Sequence, residues 1–470
     1  TNFLSFKLTG KGSNTSAIGA KVFLYNAGKV QFQELNPNRG YLSCVSTVLN
    51  FGLGDQKTVD SIKIIWPDGA TQKIAKVEAN QQLQVTEPKE ANLTAILLKE
   101  DRETVFTKES PAIFYKHESE FPNDFKRQLL MLWMYSKTGP VIAVADVDKD
   151  GKDDVFISGD LEKPARIYLQ KAGSKFAAIE NLEIGNENES TISAAAFFDA
   201  NNDGFPDLYI AKGGYSLWEP NTSSLQDELY LNDKKGNFIL YSKALPDVSG
   251  SSKSCIRPHD YDGDGDVDIF VGGRVIPGKY PLTPDSYLLR NNGKMGFEVV
   301  ESPFSKIGMV TDAQWADINK DGRKDLIICG EFMPIRVFIN TVDGFVEKSK
   351  DYFSEATNGF WFSIAVADIN GDGEEDIIAG NLGLNSPFHV SEKEPAELYY
   401  ADFDGNGSID PFFNFYVQGK SFPFVSRDEL NEQMYGMRKK FSSYKAYADV
   451  SIKEIFSVDD LAKSSLLSVN

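Results

Sequence analysis

The sequence predicts an all-β chain: an N-terminal β-sandwich over residues 1–90, then a β-propeller of six to seven blades over residues 91–470, with a helical insertion at about 426–467 and an incomplete C-terminal end. Three observations predict it. Apolar and polar residues alternate through the first ninety positions, a nine-residue acidic pattern returns six times from Asp146 onward, and the first five copies each lead into an apolar run of strand length.

A chain of 470 residues suits about three domains at roughly 150 each, or fewer if one large β unit absorbs most of it. Hydrophobic residues at 41% and charged ones at 25%, with no run of 18 apolar positions, exclude disordered, collagenous and helically membrane-spanning classes. The 33 Phe, 19 Tyr and dispersed Gly favour strands and turns. A formal charge of −19 repels nucleic acid and anionic lipid and attracts cations. Cys44, Cys255 and Cys329 are too scattered for a disulfide framework or a zinc site, and Cys329, in an apolar run, reads as a core thiol. Starting at Thr1, the chain reads as a processed or truncated product.

In residues 1–90, period-two alternation runs through Leu4-Phe6-Leu8, Ile62-Ile64-Trp66 and Leu83-Val85, the signature of half-buried strands. Turn residues punctuate it at Asn26 to Gly28, Pro37 to Gly40, Gly52 to Asp55 and Pro67 to Gly69. Pro88 and its charged neighbours end the block.

The repeat is D-x-[DN]-x-[DN]-G-x-x-D. Its successive first aspartates lie 53, 61, 57, 51 and 34 residues apart, so four intervals suit a four-stranded blade each and the last is too short. The runs Val155 to Ile157, Leu208 to Ile210, Ile269 to Val271, Leu326 to Ile328 and Ile377 to Ala379 read as buried inner strands. Further strands follow, as in Leu229 to Asn232 and Val337 to Asn340. The predicted unit is loop, inner strand, turn, outer strands.

Oxygen donors at positions 1, 3, 5 and 9, a carbonyl at 7 and Gly at 6 converge on a hard cation that takes six to eight oxygens, and calcium fits best. The expected ligands are Asp146, Asp148, Asp150, Lys152 and Asp154; Asp199, Asn201, Asp203, Phe205 and Asp207; Asp260, Asp262, Asp264, Asp266 and Asp268; Asp317, Asn319, Asp321, Arg323 and Asp325; Asp368, Asn370, Asp372, Glu374 and Asp376; and Asp402, Asp404, Asn406, Ser408 and Asp410. EF-hands are rejected, because position 12 lacks the bidentate Glu and holds Ile, Val, Ala or Phe. Lone Asp/Gly loops are ordinary solvated turns, but six in register gather three or four like charges each. About six divalent ions would bring the charge from −19 to −7.

This pattern resembles the FG-GAP or VCBS repeats of integrin-α-type propellers. The block with Gly19 to Val22, Arg39 to Tyr41, Phe51 to Gly54 and Trp66 to Gly69 resembles the ASPIC/UnbV domain, with Asn50 where that family leads one to expect His. Segments at His117 to Glu120, Gly308 to Trp315 and Tyr416 to Leu430 resemble a bacterial, Bacteroidota-type branch. The resemblance implies an exported or outer-membrane-associated surface protein, and a setting beside SusC/SusD-like uptake systems.

Near the C-terminus, Arg427 to Phe441 and Ser451 to Phe456 read as helices, the second starting in a capping box. A propeller needs closure, so residues 93–140 are expected to donate strands and the natural protein to continue past Asn470. No hydrolase, zincin, P-loop or dinucleotide motif is present, and the chain reads as a non-enzyme, with a polysaccharide-active propeller as an alternative. The leading expectation is a surface module binding a glycan or protein partner. Its face would carry Asp160, Lys212, Arg274, Glu331 and Asn381 at inner-strand ends, with Tyr215, Trp218 and Tyr280 in loops nearby. A scaffold subunit of an envelope complex is the other alternative. Trp315 and Trp361 read as packing residues, and His259 is left out of the metal set.

Overall fold

The computed structural model describes residues 2–38, 40–88, 106, 111–117, 122–137, 139–159, 164–173, 175–179, 184, 191–383 and 386–470. The chain divides into two units, Thr1–Ser110 and Pro111–Asn470.

In the first unit, strand Asn2–Thr9 lies between Val48–Gly54, antiparallel, and Gln81–Thr86, parallel. A second sheet runs in the order Lys29–Glu34, Lys21–Asn26, Thr58–Ile65, Thr71–Glu78. The alternation that predicts these strands puts Leu4, Phe6, Ile62, Ile64 and Trp66 in one core with Val22 and Phe51. The hairpin joining Lys21–Asn26 to Lys29–Glu34 turns through Ala27 and Gly28, both at positive φ, which suits the twist of the flanking strands.

The second unit is a succession of antiparallel meanders. The first holds Ile142–Ala145, Asp154–Ile157, Arg166–Lys171 and Lys175–Ala178; the second Thr191–Phe198, Asp207–Gly213, Glu228–Asn232 and Phe238–Leu240; the third Ser252–His259, Asp268–Val275, Tyr287–Asn291 and Phe297–Val300. Next come Met309–Ala316, Asp325–Met333, Arg336–Thr341 and Gly344–Glu347, whose second strand also pairs with Gly359–Ala367, itself paired with Asp376–Asn381. In the last sheet, Ala396–Ala401 lies between Ser465–Val469 and Asp410–Val417, with Lys420–Pro423 outside.

Five of the acidic loops join the first and second strands of their sheet, and the fifth joins Gly359–Ala367 to Asp376–Asn381, the last two strands of the six-stranded sheet. The sequence reading omitted the strand before the loop, because Thr191–Phe198 and Ser252–His259 mix small and polar residues with apolar ones and give no clean period. The expected buried strand Ile377 to Ala379 is corrected: Asp376–Asn381 is half-buried to exposed, with Ile378 facing solvent. The strand after the loop is buried on both faces over all seven residues of Asp207–Gly213 and all nine of Asp325–Met333. Alternate residues therefore pack on opposite neighbours: Leu208 and Ile210 meet Phe156 and Ile167, while Tyr209 and Ala211 meet Ile256 and Ile269. This face-to-face stacking of sheets is propeller-like. Cys329 is a core thiol, Trp315 packs between the third sheet and the six-stranded one, and Trp361 packs among strands of the six-stranded sheet.

Described residues 111–117 and 122–137 donate no strand. Instead, after a 3₁₀ turn at Asp124–Lys126, Met131 and Tyr135 pack among Tyr215, Val275, Tyr280, Met309, Phe332, Phe360 and Phe413. Toward the C-terminus, short helices Arg427–Gln433, Met437–Lys440, Tyr444–Tyr447, Ile452–Ile455 and Val458–Lys463 cover Phe412 with Leu430, Phe441, Ile455 and Phe456. Capping boxes start three of them, at Ser426/Glu429, Ser451/Glu454 and Ser457/Asp460. Among the described residues, no helix is long and apolar enough to cross a membrane.

Candidate metal loops and the buried polar centre

All six acidic loops share one local construction. The first carboxylate accepts the N–H of the sixth residue at 2.7–3.0 Å, from Asp146, Asp199, Asp260, Asp317, Asp368 and Asp402. That reversal needs the sixth residue at φ +82° to +94°, which Gly adopts without strain. Position 4 is also left-handed, at Lys149, Asn202, Gly263, Lys320, Gly371 and Gly405, a requirement the motif as read left open. The fifth side chain accepts the N–H of position 7, that is of Lys152, Phe205, Asp266, Arg323, Glu374 and Ser408.

The ninth aspartate has a second task. Its Oδ2 accepts the N–H of position 2 at 3.0–3.2 Å in every loop. In the first four, its Oδ1 accepts an N–H from the third strand, at Gln170, Asn232, Asn291 and Asn340, 2.7–2.8 Å away. In the sixth loop no third-strand N–H serves, and Gln433 Nε2 on the helix Arg427–Gln433 takes that place, 2.6 Å from Asp410. The same asparagines reach across sheets: Nδ2 of Asn232, Asn291 and Asn340 donates to the carbonyl at position 2 of an acidic loop in another sheet, Val147, Ala200 and Tyr261, at 2.7–2.9 Å. The sequence reading found two of these asparagines in strands and gave them no role.

The donor set fits a hard cation. In loops one, three and six, carboxylate oxygens from positions 1, 3 and 9 lie within 4.8 Å of one another: Asp146, Asp148 and Asp154; Asp260, Asp262 and Asp268; Asp402, Asp404 and Asp410. The other three loops carry an amide at position 3, Asn201, Asn319 or Asn370, which supplies a neutral oxygen in the same place. Burial pushes the ninth carboxyl up, to about 6 at Asp207 and Asp410 and about 7 at Asp268, and neighbouring aspartates add to it. A bound cation would relieve that cost.

The loops differ in their company. Lys152 Nζ sits 2.6 Å from Asp150 and Arg323 Nη2 2.6 Å from Asp321, so the position-7 side chain competes for the position-5 oxygen. Among the described residues, no aspartate of loop three forms an ion pair. Lys152→Ala and Arg323→Ala are expected to tighten divalent-cation binding by up to about fivefold, the scale of exposed ion pairs. Titration of the full chain by calorimetry checks this; unchanged or weaker binding contradicts it.

The predicted ligand face is built otherwise. Glu331, with a side chain closed to solvent, accepts from Arg274 Nη2 at 2.6 Å, Tyr135 Oη at 2.9 Å, Tyr280 Oη at 3.2 Å and Trp133 Nε1 at 3.3 Å. The Arg274 guanidinium also lies over the Tyr135 ring. Burial and then the Glu331 charge hold Tyr135 well above the ordinary phenol range; Tyr280 is raised by burial, then by Tyr135 and Glu331, so both hydroxyls stay donors. Tyr215 is buried and donates to Gln128 Oε1. Lys212 is buried 2.9 Å from Glu228. Trp218 is half-buried, its carbonyl accepting from Arg127, and Asn381 is exposed at the end of its strand. Asp160 lies outside the described residues. An open ring of Arg274, Tyr280, Glu331 and Tyr215 is therefore corrected to a closed network, because Gln128, Trp133 and Tyr135 occupy the space that ring would have lined.

Residues 10–92 match the family described as ASPIC and UnbV, and residues 146–210 and 317–379 match the FG-GAP-like repeat. No curated protein matches the chain. Solved structures similar to it include an exo-β-1,3-galactanase from Phanerochaete chrysosporium, at 9% identity and TM-score 0.30 over 44% of this chain and 49% of that one. Others are an exo-β-1,3-galactanase from Clostridium thermocellum, at 9% and 0.31 over 61% and 79%, and the V. cholerae biofilm matrix protein Bap1, at 13% and 0.26 over 62% and 48%. The chain spans about half the length of the first of these. With glycoside hydrolases among these structures, the reading of the chain as a non-enzyme is corrected and is not kept. Three segments are thus matched: the chain carries an ASPIC/UnbV domain at residues 10–92 and FG-GAP-like repeats at residues 146–210 and 317–379.

Proposed function

We propose that the second unit is a six-bladed propeller stiffened by about six calcium ions, one per acidic loop, that acts outside the cytoplasm as a binding module for a glycan or protein at the cell surface. In this reading the six-stranded sheet counts as two blades. The observation that carries it is the sixfold recurrence of one loop construction, in five copies of which the ninth aspartate, a candidate ligand, also tethers the loop to the rest of its sheet or to a helix. Positions 1, 3, 5 and 9 would supply side-chain oxygens and position 7 its carbonyl, and the bound cation would offset the mutual repulsion of the loop acids. A module held in shape this way needs millimolar calcium, which extracytoplasmic fluids supply.

The test is a glycan array probed with the full chain in calcium and in chelator. Binding in calcium that disappears in chelator is expected. Binding equally strong without calcium contradicts the calcium-stiffened module.

A further inference from the structure

Between the helices Arg427–Gln433 and Met437–Lys440 and the turn after them lies an open pocket of about 580 Å³, lined by Arg427, Asp428, Asn431, Glu432, Arg438 and Ser442. A second pocket of about 340 Å³ shares Glu432 and continues past Gln433 to Asn123, Lys126 and Arg127. Part of this wall is committed to holding its own shape. Arg427 donates from Nε to the Phe441 carbonyl, from Nη2 to the Ser442 carbonyl and from Nη1 to Asp428, whose other oxygen accepts the Tyr444 hydroxyl. The helix carrying it is pinned at its far end by Gln433 to Asp410.

The remaining polar groups have no such duty. Arg438 uses Nε on the Asn431 carbonyl and has neither Nη paired among the described residues. The Glu432 carboxylate and Ser442 hydroxyl likewise have no partner among them. Asn431, 6% exposed, leaves Oδ1 as a buried acceptor without a donor among the described residues, an unfavourable state. Two exposed tyrosines lie against the pocket arginines, Tyr435 beside Arg438 at 4.6 Å and Tyr444 beside Arg427 at 4.9 Å.

A free guanidinium fork next to free acceptors demands a ligand whose groups both donate and accept at neighbouring positions. Adjacent hydroxyls of a sugar do this, whereas a phosphate or carboxylate would satisfy Arg438 but meet Glu432 as a like charge. Tyr435 and Tyr444 stand outside the pocket linings with an arginine over one face each, which leaves the opposite, exposed face for a sugar ring to stack on, and two pockets that share Glu432 offer room for more than one residue. We propose that this helical insertion carries a binding site for a neutral oligosaccharide, gripped by Arg438 and Glu432. The inference gives the proposed module its ligand class and rests on that reading for treating the ligand as a surface glycan.

The test is saturation-transfer NMR and calorimetry of the full chain with calcium, using maltotriose, cellotriose, xylotriose, mannotriose and β-1,3-galactotriose, with trigalacturonate and inorganic phosphate as charged probes. Arg438→Ala and Glu432→Gln, both at exposed positions, are compared after their unfolding midpoints are shown to equal that of the parent chain. At least one neutral trisaccharide is expected to bind, with Kd weakened tenfold or more in each variant. Equal binding by the variants overturns this pocket and leaves the module reading standing. Binding of none of the neutral probes, or of the charged probes alone, overturns the proposal, while the glycan array in calcium decides the module separately.

Discussion

Glu331→Ala is expected to destabilise the second unit by about 3–5 kcal/mol, read as a lowered urea midpoint. The side chain is the common acceptor for Arg274, Tyr135, Tyr280 and Trp133, and it is closed to solvent while Arg274 is only 15% exposed. Removing it leaves a buried guanidinium without its counter-charge and two buried hydroxyls without an acceptor. The loss is larger than for an average core truncation because Tyr135 and Trp133 come from the segment 122–137, while Arg274 and Glu331 come from two different sheets. One deletion thus releases three parts of the fold. Arg274→Met should cost less, since the remaining carboxylate keeps its phenol and indole donors. A loss below about 1 kcal/mol for Glu331→Ala would contradict this account of the centre.

Asp268→Ala and Asp264→Ala separate the tether from the cation. Asp268 is buried and accepts the N–H of both Tyr261 and Asn291, whereas Asp264 is exposed and accepts only from the N–H of Asp266 within its own loop. In chelator, Asp268→Ala is expected to lower stability by about 1–3 kcal/mol, because a buried and a partly buried N–H lose their acceptor while the cost of burying the carboxylate is removed. Asp264→Ala should change little there. In calcium both variants should fall below the parent chain, since each loses a candidate ligand. Equal behaviour of the two in chelator would show that the ninth aspartate has no structural task apart from metal.

The six loops were legible because their chemistry is local: a carboxylate that must reach back to the sixth N–H, and a Gly that must take positive φ, sit within nine residues. The sandwich strands were legible for the same reason, since Leu4-Phe6-Leu8 and Ile62-Ile64-Trp66 each face one core. What escaped depends on partners far away in sequence. Asn291 gives no sign in its own strand that its side chain bonds Ala200, 91 positions earlier. Residues 122–137 have neither helical nor strand period, yet Gln128 donates to Tyr280 and Ile409, 152 and 281 positions away, and Tyr135 to Glu331. Arg274, Glu331 and Tyr280 were read as part of one open ligand face, because polar residues at strand ends look alike whether they face solvent or an inserted segment. Gln433 escaped because a helix in place of a third strand breaks the repeat that made the other tethers comparable.

The most direct test of the account is thermal unfolding of the full chain in millimolar calcium and in chelator, together with metal counting on the purified protein. A site held at a hundredfold over its Kd stabilises the folded state by about 2.7 kcal/mol, so several loops in one cooperative unit should raise the midpoint by on the order of 10 °C or more. The account predicts that rise with about six calcium ions per chain. An unchanged midpoint with no bound calcium would contradict it.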